Sequence, residues 1–373
     1  MVKNVLIVGG GIAGMTLAIQ LKRAGINAEI VELSTDWTVI GVGISMQGPA
    51  LRALGTIGVL DQVIDKGFGY SFFNACDADG NITGTVDLPS LNGPDRPATM
   101  AIMRQELHEV LKQAVAEGGA PAQLGVTVDA LDDVGGHVDV EFSDGSAGSY
   151  DLVVGADGAH SKIRKMLFGP DCTADYTGQA VWRVTVPRPP DVLGRQSYFG
   201  ARNKAGVNPV SQDRMYIYMV QNLPEWTRLA DDRLPVILRH LLAEFGGHVG
   251  RARDRIADPR DIVYRPIYSL ILPPPWYRGR VLLIGDAAHT TTPQMGSGAG
   301  LAIEDSVVLA ELLGSGRPVA DVLEDFMTRR YERCRMTVEN SRQLGEWEKD
   351  VAAPNADPVG LFDKSIRILA QPI

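Results

Sequence analysis

The chain has 373 residues, of which 45% are hydrophobic and 22% charged, so it is long enough for two ordinary globular domains or one large domain with an inserted lobe. The formal net charge of −9 argues against a broad surface for nucleic acid or an anionic membrane. The three cysteines lie far apart without a C-x-x-C pair, which fits a reducing compartment and predicts neither a disulfide framework nor a metal site.

The chain begins with a predicted strand, a glycine-rich turn and a helix. Residues 5–8 form an apolar run, the next six residues have the spacing G-x-G-x-x-G, and a helical pattern continues to Ala24. A second apolar run ends in an acid about 20 residues after the glycines, where a dinucleotide-binding unit accepts ribose hydroxyls. This pattern predicts dinucleotide binding by Gly9, Gly11, Ile12, Ala13, Gly14, Glu32 and the adjacent Leu33.

The same N-terminal stretch also has the apolar character of a targeting segment. Residues 5–21 are too few for a membrane span, and three consecutive glycines weaken the helix that a signal peptide needs. We therefore expect a cytoplasmic protein without a membrane span.

Two polar residues after the first unit are candidates for cofactor contacts. A second glycine-bearing loop, residues 40–45, ends at Ser45, which is either a donor to a cofactor oxygen or a turn serine. A short helix closed by Gly55 is expected next. Arg104 stands at the start of a helix that runs to about Glu117. The helix dipole disfavours a cation at this N-terminal position. Arg104 therefore indicates a contact with a cofactor, and the alternative is a surface arginine.

A predicted hairpin and a buried strand lead to a second glycine-bearing turn. Residues 126–131 and 137–142 alternate like a hairpin, in which the Val128 backbone is a candidate contact for adenine. Residues 151–154, which are predicted to form a buried strand, then enter a turn that contains Asp157, and Ser161 is a plausible helix cap. No second G-x-G-x-x-G follows, so we expect no separate nicotinamide-binding domain.

The region from about Thr177 to Leu272 is predicted to form a β-sheet lobe. Strand alternation puts Tyr216 and Tyr218 on one face and sets Arg183 opposite Trp182. Two hydroxyl groups and a cation suit a small aromatic acid or phenol, whereas the alternative is ordinary half-buried tyrosines. Lys204 and Asn208 are expected in a solvent-exposed polar loop.

The stretch from Val281 to Asp305 has the pattern strand, glycine-rich loop, helix. The strand 281–284 ends in Gly285-Asp286, and the aspartate is a candidate acceptor for ribityl or ribose hydroxyls. Backbone amides without side chains precede a helix predicted at 301–313, and they would stabilise an anion that forms on a bound ring. The alternative is a strand–loop–helix connection in which the glycines only permit tight turns. A long polar helix, 319–347, a break at 352–355 and an amphipathic tail from Val359 follow.

Three segments together carry a family resemblance: residues 9–14 with Glu32, residues 155–164 and residues 285–305. Their order and spacing resemble the single-component flavin monooxygenases of the aromatic hydroxylase type, such as salicylate and p-hydroxybenzoate hydroxylases. The resemblance implies an α/β fold, with a Rossmann-like FAD-binding domain, an inserted β-sheet substrate lobe and C-terminal helices. We expect the FAD-binding domain at 1–70, 98–176 and 273–347, the lobe at 71–97 and 177–272, and a tail at 348–373.

The resemblance also implies roles for individual residues. Gly9, Gly11, Gly14 and Glu32 would hold the ADP half of FAD, Arg104 its phosphate and ribityl region, and Asp286 the ribityl chain. Asp157 matches an acid associated with FAD and NAD(P)H. The ring would lie beside a loop formed by Pro293, Gly296, Ser297, Gly298, Ala299 and Gly300. Ser297 stands where many relatives have glutamine. Gln294 stands where flavin urate hydroxylases have aspartate, which lowers the expectation of a purine substrate.

The activity implied is that of an FAD-dependent monooxygenase, active as a monomer or homodimer. It would consume NADH or NADPH and molecular oxygen and hydroxylate a small aromatic or heteroaromatic compound through a flavin C4a-hydroperoxide. Expected substrate contacts are Arg183, Tyr216, Tyr218, Pro293 and Gln294. Tyr216 or His289 would assist catalysis, and a structural role is the alternative for His289. Two other functions stay open: an FAD-dependent reductase or dehydrogenase without oxygen insertion, and a non-catalytic FAD-binding sensor.

Overall fold

The computed structural model describes residues 1–39, 41–201, 203–350 and 353–373. Ile40 of the second glycine-bearing loop and Ala352 of the predicted break before the tail lie outside the described residues.

The described residues form nineteen strands: β1 (Asn4–Val8), β2 (Asn27–Glu32), β3 (Gly43–Met46), β4 (Phe68–Tyr70), β5 (Phe72–Cys76), β6 (Ile82–Asp87), β7 (Thr99–Met103), β8 (Ala122–Leu124), β9 (Val128–Asp133), β10 (Val138–Phe142), β11 (Ala147–Tyr150), β12 (Leu152–Gly155), β13 (Asp175–Pro187), β14 (Arg195–Phe199), β15 (Lys204–Pro209), β16 (Arg214–Asn222), β17 (Ile262–Ser269), β18 (Tyr277–Arg278) and β19 (Val281–Leu283).

Ten α-helices lie in the same part of the chain: α1 (Ile12–Arg23), α2 (Gly48–Ile57), α3 (Leu60–Lys66), α4 (Arg104–Glu117), α5 (Lys162–Phe168), α6 (Leu234–Leu241), α7 (Gly247–Arg253), α8 (Gly298–Gly314), α9 (Val319–Lys349) and α10 (Pro358–Ala370).

The first large sheet carries the glycine-rich turns. Its six strands have the order β18-β19-β12-β1-β2-β8, and all neighbours are parallel except the pair β18–β19. The apolar runs of β1 and β12 are buried along nearly their whole length, as expected for parallel strands covered on both faces. Helix α1 packs against β2 of this sheet and against α8 and α4. The carboxyl ends of β1, β12 and β19 therefore meet at one edge, where α/β sheets bind ligands.

The second large sheet separates a hydrophobic core from a cavity. Its seven strands have the order β17-β13-β16-β15-β14-β5-β6. On β13, Trp182 and Val184 pack into a core that α6 and α7 cover, while Arg183 points to the other face. The sheet draws on residues from the two segments predicted for the substrate lobe; the domain boundaries themselves stay a prediction.

A small sheet, β3-β7-β4, joins the two large ones. Val42, Ala101 and Met103 on its side form a buried cluster with Val210 and Tyr216 of the seven-stranded sheet. This contact brings Ser45 of β3 next to the side chains of β15 and β16. A fourth sheet, β11-β10-β9, contains the predicted hairpin.

Several boundaries differ from the sequence prediction. Helix α2 does not end at Gly55 but continues to Ile57, and Gly58 ends it in the left-handed conformation with φ of +85°. Helix α8 begins at Gly298, before the predicted Leu301. Lys204 and Asn208 do not lie in an exposed loop: both belong to β15, and Asn208 is completely buried. No helix among the described residues is long and apolar enough to cross a membrane.

Candidate active site

A cavity of about 530 Å³ lies between the two large sheets. One wall, here called the cofactor wall, is made by the first glycine turn, Arg104 and the segment 286–299. The opposite wall, here called the sheet wall, is the polar face of the seven-stranded sheet. The predicted site residues that line the cavity are Gly11, Ile12, Ala13, Ser45, Arg104, Arg183, Tyr216, Tyr218, Asp286, Pro293, Gln294, Gly296, Ser297, Gly298 and Ala299.

The first glycine turn needs glycine at two of its positions, Gly9 and Gly14. Gly9 has φ of +113°, and a Cβ atom there would lie 2.4 Å from the carbonyl oxygen of Ala156. A Cβ atom on Gly14 would lie 1.9 Å from the carbonyl oxygen of Gly9. A Cβ atom on Gly11 would meet nothing within 4 Å, and Gly11 starts α1 without a side-chain cap. The start of α1 is therefore open to an anion such as a pyrophosphate.

Glu32 and Leu33 lie beside this turn and outside the cavity lining. The Glu32 carboxylate accepts hydrogen bonds from the Gly10 and Ser34 amides, at 2.7 and 2.8 Å. Trp37 covers the same turn, because its Nε1 donates to the Gly10 carbonyl oxygen at 2.8 Å. Leu33 is an exposed side chain. The carboxylate is thus held next to the start of α1, and its contact with a ribose stays a prediction.

Asp286 and Arg104 are two charged groups of the cofactor wall that face the cavity. The described residues provide no hydrogen-bond or ion-pair partner for either side chain. The Asp286 side chain is exposed to the cavity although protein surrounds it, and burial raises its pKa against the opposing charges of His289, Arg104 and Arg164. Gly41 leaves room for Arg104, since a Cβ atom there would lie 3.0 Å from the arginine Cδ. An acceptor for hydroxyl groups and a donor for phosphate are therefore both available.

The loop before α8 completes this wall. Gly296 adopts the left-handed conformation with φ of +62°, and α8 starts at Gly298 with no side-chain cap from Ser297. The Ser297 hydroxyl instead donates to the Met295 carbonyl oxygen at 3.2 Å. Because the first amides of a 17-residue helix stay open toward the cavity, they stabilise negative charge there. Gly300 has a different role, since it packs α8 against Ala50 of α2.

A buried ionic network supports the turn that carries Asp286. Asp305 of α8 accepts from the Gly285 amide at 2.9 Å, from His289 Nε2 at 2.6 Å and from Arg330 Nε at 2.7 Å. Arg330 also donates to Glu304 at 2.9 Å. Burial alone would raise the pKa of Asp305, but His289 and Arg330 hold this pKa below its usual value. Gly285 adopts the left-handed conformation with φ of +59°, which glycine tolerates, and this network holds the turn in place.

The structure places His289 in that network and not in the cavity. Its side chain is completely buried, and its ring packs against Trp276 with centroids 5.1 Å apart. Burial alone would lower the pKa of His289, but the carboxylate of Asp305, 2.6 Å from its Nε2, holds it well above its ordinary value. His289 therefore has no contact surface for a substrate in the cavity, and the geometry favours the structural alternative over the predicted catalytic role.

The set His289, Asp305 and Cys334 brings three potential metal-ligand atoms within 4.8 Å of one another. Arg330 already occupies the neighbourhood, because its guanidinium contacts Asp305 and lies 3.6 Å from the Cys334 Sγ. A second cation would be repelled there, so we assign no metal to these residues.

Asp157 and Val128 also lie outside the cavity lining. One carboxylate oxygen of Asp157 accepts from the Lys162 and Ile163 amides at 2.7 and 3.1 Å, while the other is buried and has no partner in the described part of the chain. Ser161 caps the same helix, α5, as the sequence predicts. Val128 is completely buried. The proposed contacts of Asp157 and Val128 with FAD stay predictions.

On the sheet wall, Arg183 is a cation without a partner among the described residues. Protein surrounds its side chain, and burial lowers its pKa against the opposing influence of Tyr216. A desolvated guanidinium that lacks an anion is costly unless a ligand supplies one. Arg183 is thus placed to receive an anionic or carbonyl oxygen in the cavity.

Tyr216 is held by a buried hydrogen-bond network. Its hydroxyl lies 3.1 Å from Asn208 Nδ2 and 3.3 Å from the Ser45 hydroxyl, and Asn208 accepts from the Tyr70 hydroxyl at 2.9 Å. The ring packs on Gly43, where a Cβ atom would come within 2.4 Å of it. The Tyr216 hydroxyl is therefore fixed at the cavity by residues of three strands.

Tyr218 and Arg195 form a second pair on this wall. The Tyr218 hydroxyl lies 2.8 Å from that of Ser197, and the Arg195 guanidinium stands over the Tyr218 ring at 5.5 Å. Burial alone would raise the pKa of Tyr218, but Arg195 and Lys204 hold it below its ordinary value. The sheet wall is thus rich in phenol groups and positive charge.

Sequence reasoning missed four residues of this region: Arg195, Lys204, Asn208 and Glu348. The pattern of β15 contained a usable signal, because Ala205 and Val207 alternate with Lys204 and Asn208 as in a strand with one apolar face. Glu348 was assigned to the tail, although α9 extends to Lys349 and brings it to the cavity.

Comparison with known proteins identifies the family. The family model described as "FAD binding domain" matches residues 3–341. The chain is 32% identical over 351 residues to the 2-heptyl-3-hydroxy-4(1H)-quinolone synthase of Pseudomonas aeruginosa, covering 92% of this chain and 90% of that protein. It is 31% identical over 358 residues to the aurachin C monooxygenase/isomerase of Stigmatella aurantiaca, covering 94% and 91%.

A solved structure agrees with this result. The crystal structure of Klebsiella pneumoniae HpxO complexed with FAD and uric acid superposes with a TM-score of 0.85 at 25% identity, covering 99% of this chain and 92% of that one. The chain therefore belongs to this FAD-binding family, and the protein is an FAD-dependent monooxygenase of the aromatic hydroxylase type. The predicted fold class, cofactor and enzyme class are confirmed.

Proposed function

We propose that the protein uses NADH or NADPH and molecular oxygen to hydroxylate a small heteroaromatic compound that binds between the two walls of the cavity. The observation that carries the proposal is that charged side chains without partners lie on both walls of the cavity. Asp286 and Arg104 lack partners among the described residues on the cofactor wall, and Arg183 lacks one on the sheet wall. One wall therefore suits a dinucleotide and the other suits an oxygen-bearing ring.

The cofactor wall fits FAD in three places. The open start of α1 would bind the pyrophosphate, with Arg104 nearby, and Asp286 would accept hydrogen bonds from the ribityl hydroxyls. The amides at the start of α8 would stabilise negative charge on the ring. When bound, FAD supplies hydride acceptance from the nicotinamide and activation of oxygen.

The sheet wall would bind and orient the substrate. Arg183 would pair with a substrate oxygen, and Tyr218 would lie along the ring. The Tyr216 hydroxyl would hold or take the proton of a ring hydroxyl, since Asn208 and Ser45 fix its position. Making the ring more electron-rich in this way favours its hydroxylation.

Named relatives support a heteroaromatic substrate. Their names include a quinolone synthase and FAD-dependent urate hydroxylases, and the HpxO complex contains uric acid. The choice between NADH and NADPH, the cytoplasmic location and the monomeric or homodimeric state stay predictions.

The experiment is turnover of the FAD-loaded protein under ¹⁸O₂ with quinolones, hydroxypyridines and phenolic acids. We expect at least one heteroaromatic ligand to accelerate NADH or NADPH oxidation and to gain one labelled oxygen atom. Products that change only in hydrogen content would instead indicate a reductase or dehydrogenase. Flavin retention without ligand-stimulated NAD(P)H oxidation would indicate a binding protein.

A further inference from the structure

Three polar side chains from three elements meet at one part of the cavity. Glu348 of α9 accepts from Lys204 of β15 at 2.7 Å and from the Gln294 amide at 2.9 Å. All three residues line the cavity, and the exposed fractions of the Lys204 and Glu348 side chains are 19% and 16%. We call these residues the Glu348 cluster. Nothing in the proposed reaction uses it.

The end of α9 is docked so that Glu348 stays in place. A Cβ atom on Gly345 would lie 2.9 Å from Gln179 Oε1, so glycine permits the helix to approach the sheet. Lys349 donates to the Thr177 carbonyl oxygen, and Asn222 donates to the Glu348 carbonyl oxygen at 3.4 Å. These contacts fix the backbone at Glu348 and Lys349, and so they fix the position from which the Glu348 carboxylate reaches the cavity.

The orientation of the Gln294 amide follows from its neighbours. Its Nε2 faces two acceptors, a Glu348 oxygen at 2.9 Å and Gln179 Oε1 at 3.3 Å. Exchange of nitrogen and oxygen would place three acceptors together, so the nitrogen must face Glu348. The Gln294 amide nitrogen therefore donates to acceptors within the protein.

The Glu348 carboxylate still has capacity to accept hydrogen bonds. A carboxylate accepts about four, and Lys204 and Gln294 account for two. Because Glu348 borders the cavity, a hydrogen-bond donor on a ligand is the complementary group. A ligand carboxylate would meet the like charge of Glu348 there, and an ether oxygen could accept only from the Lys204 ammonium, which already donates to Glu348.

The cavity therefore has two chemically different recognition points. Arg183 is a cation without a partner among the described residues, with the Tyr216 phenol and the charge of Arg104 nearby, whereas Glu348 is a carboxylate with free acceptor capacity. We propose that the Glu348 cluster recognises a ring N–H, so that the substrate class is N-heteroaromatic compounds with one ring N–H and one ring oxygen. The oxygen pairs with Arg183. This inference rests on the proposed function and narrows its substrate.

The test is equilibrium binding to the FAD-loaded protein, followed through the flavin absorbance, with 4-quinolone and chromone as ligands. The two rings have the same size and carbonyl group, and chromone has an ether oxygen in place of the N–H. We expect 4-quinolone to bind more than tenfold tighter, since a hydrogen bond to a charged group is lost with chromone.

A double variant, K204M/E348M, removes the acceptor without leaving an unpaired lysine at the cavity. Its preference for 4-quinolone over chromone is expected to fall to within about twofold. The control is Glu346→Gln, on the same turn of α9, whose exposed side chain pairs with Lys349. It should keep the full preference. Retained FAD would show that each variant is folded.

Two results would overturn the inference. One is equal binding of 4-quinolone and chromone by the wild-type protein, and the other is an unchanged preference in K204M/E348M. If phenolic acids are hydroxylated and neither probe binds, this inference and the heteroaromatic substrate are both wrong, whereas the monooxygenase activity stands. If no ligand of any class gains oxygen, the proposed function fails and this inference fails with it.

Discussion

The two walls of the cavity are built in different ways. The cofactor wall consists largely of backbone: glycines at positions 9, 11, 14, 296 and 298, with two helix starts that lack side-chain caps. The sheet wall consists of side chains, of which Tyr216 and Tyr218 are held by partners from other strands. The turns of the cofactor wall tolerate few residue types, whereas the side chains of the sheet wall can be replaced without a change of the backbone. The difference explains how one cofactor site can serve many substrates.

The largest effect is expected beneath the cofactor wall, at Asp305. Replacing Asp305 with alanine leaves Arg330 and His289 buried without their shared anion, which costs about 3–5 kcal/mol. Chemical denaturation of the FAD-loaded protein would measure the free energy of unfolding. The control is Asp325→Asn, which breaks an exposed ion pair with Arg317 that contributes little. Equal stability of the two variants would contradict the support role of the network.

On the sheet wall, Tyr216→Phe should reduce turnover without loss of FAD. Removing one hydroxyl that holds or takes a proton lowers the rate about a hundredfold. Steady-state kinetics with the accepted substrate, together with flavin content, would separate catalysis from folding. A matched control is Tyr176→Phe, whose hydroxyl bonds to the Leu223 carbonyl oxygen outside the cavity lining. Wild-type turnover in Tyr216→Phe would remove this hydroxyl from the reaction.

Asp286→Ala tests the opposite wall. Loss of a charged acceptor for the ribityl hydroxyls should weaken FAD binding about tenfold, while the apoprotein keeps its fold. Titration of apoprotein with FAD, followed by quenching of flavin fluorescence, would give the dissociation constant. Asp363→Asn on the exposed face of α10 should bind FAD normally. Should Asp286→Ala bind FAD as tightly as wild type, the carboxylate does not contact the cofactor.

The last prediction concerns the dependence of stability on pH that the titration of His289 produces. Its raised pKa means that the folded state binds a proton more tightly than the unfolded state. The stabilisation is complete below the unfolded pKa of about 6.5 and is lost as pH rises toward the folded value, by at most about 1.4 kcal/mol per pH unit. Unfolding measured between pH 6 and 9 should show this slope, and His289→Gln should lack it. His137→Gln, at a half-exposed site, should retain it.

The sequence predicted the cofactor wall better than the sheet wall for a physical reason. The turn at Gly9 and the loop at Gly296 need residues without a Cβ atom, so they leave a local signature. Arg104 was found because a cation at a helix start is unfavourable. Asn208 and Glu348 leave no such signature, since their roles depend on contacts with Tyr70 and Lys204, 138 and 144 residues away along the chain.

His289 illustrates the same limit. Its position in the Gly285 turn is next to a predicted cofactor residue, which made a catalytic role reasonable. Only the fold shows that Asp305 and Arg330, from two later helices, enclose it. The distinction between a buried network and a cavity surface is made by tertiary packing.

The most direct measurement is a crystal structure of the protein with FAD and an accepted substrate. We expect the ribityl hydroxyls within hydrogen-bond distance of Asp286 and the ring between the start of α8 and the sheet wall, with the substrate against Tyr216 and a substrate oxygen on Arg183. A flavin ring bound away from this cavity, or a substrate that contacts neither Tyr216 nor Arg183, would contradict the two-wall account.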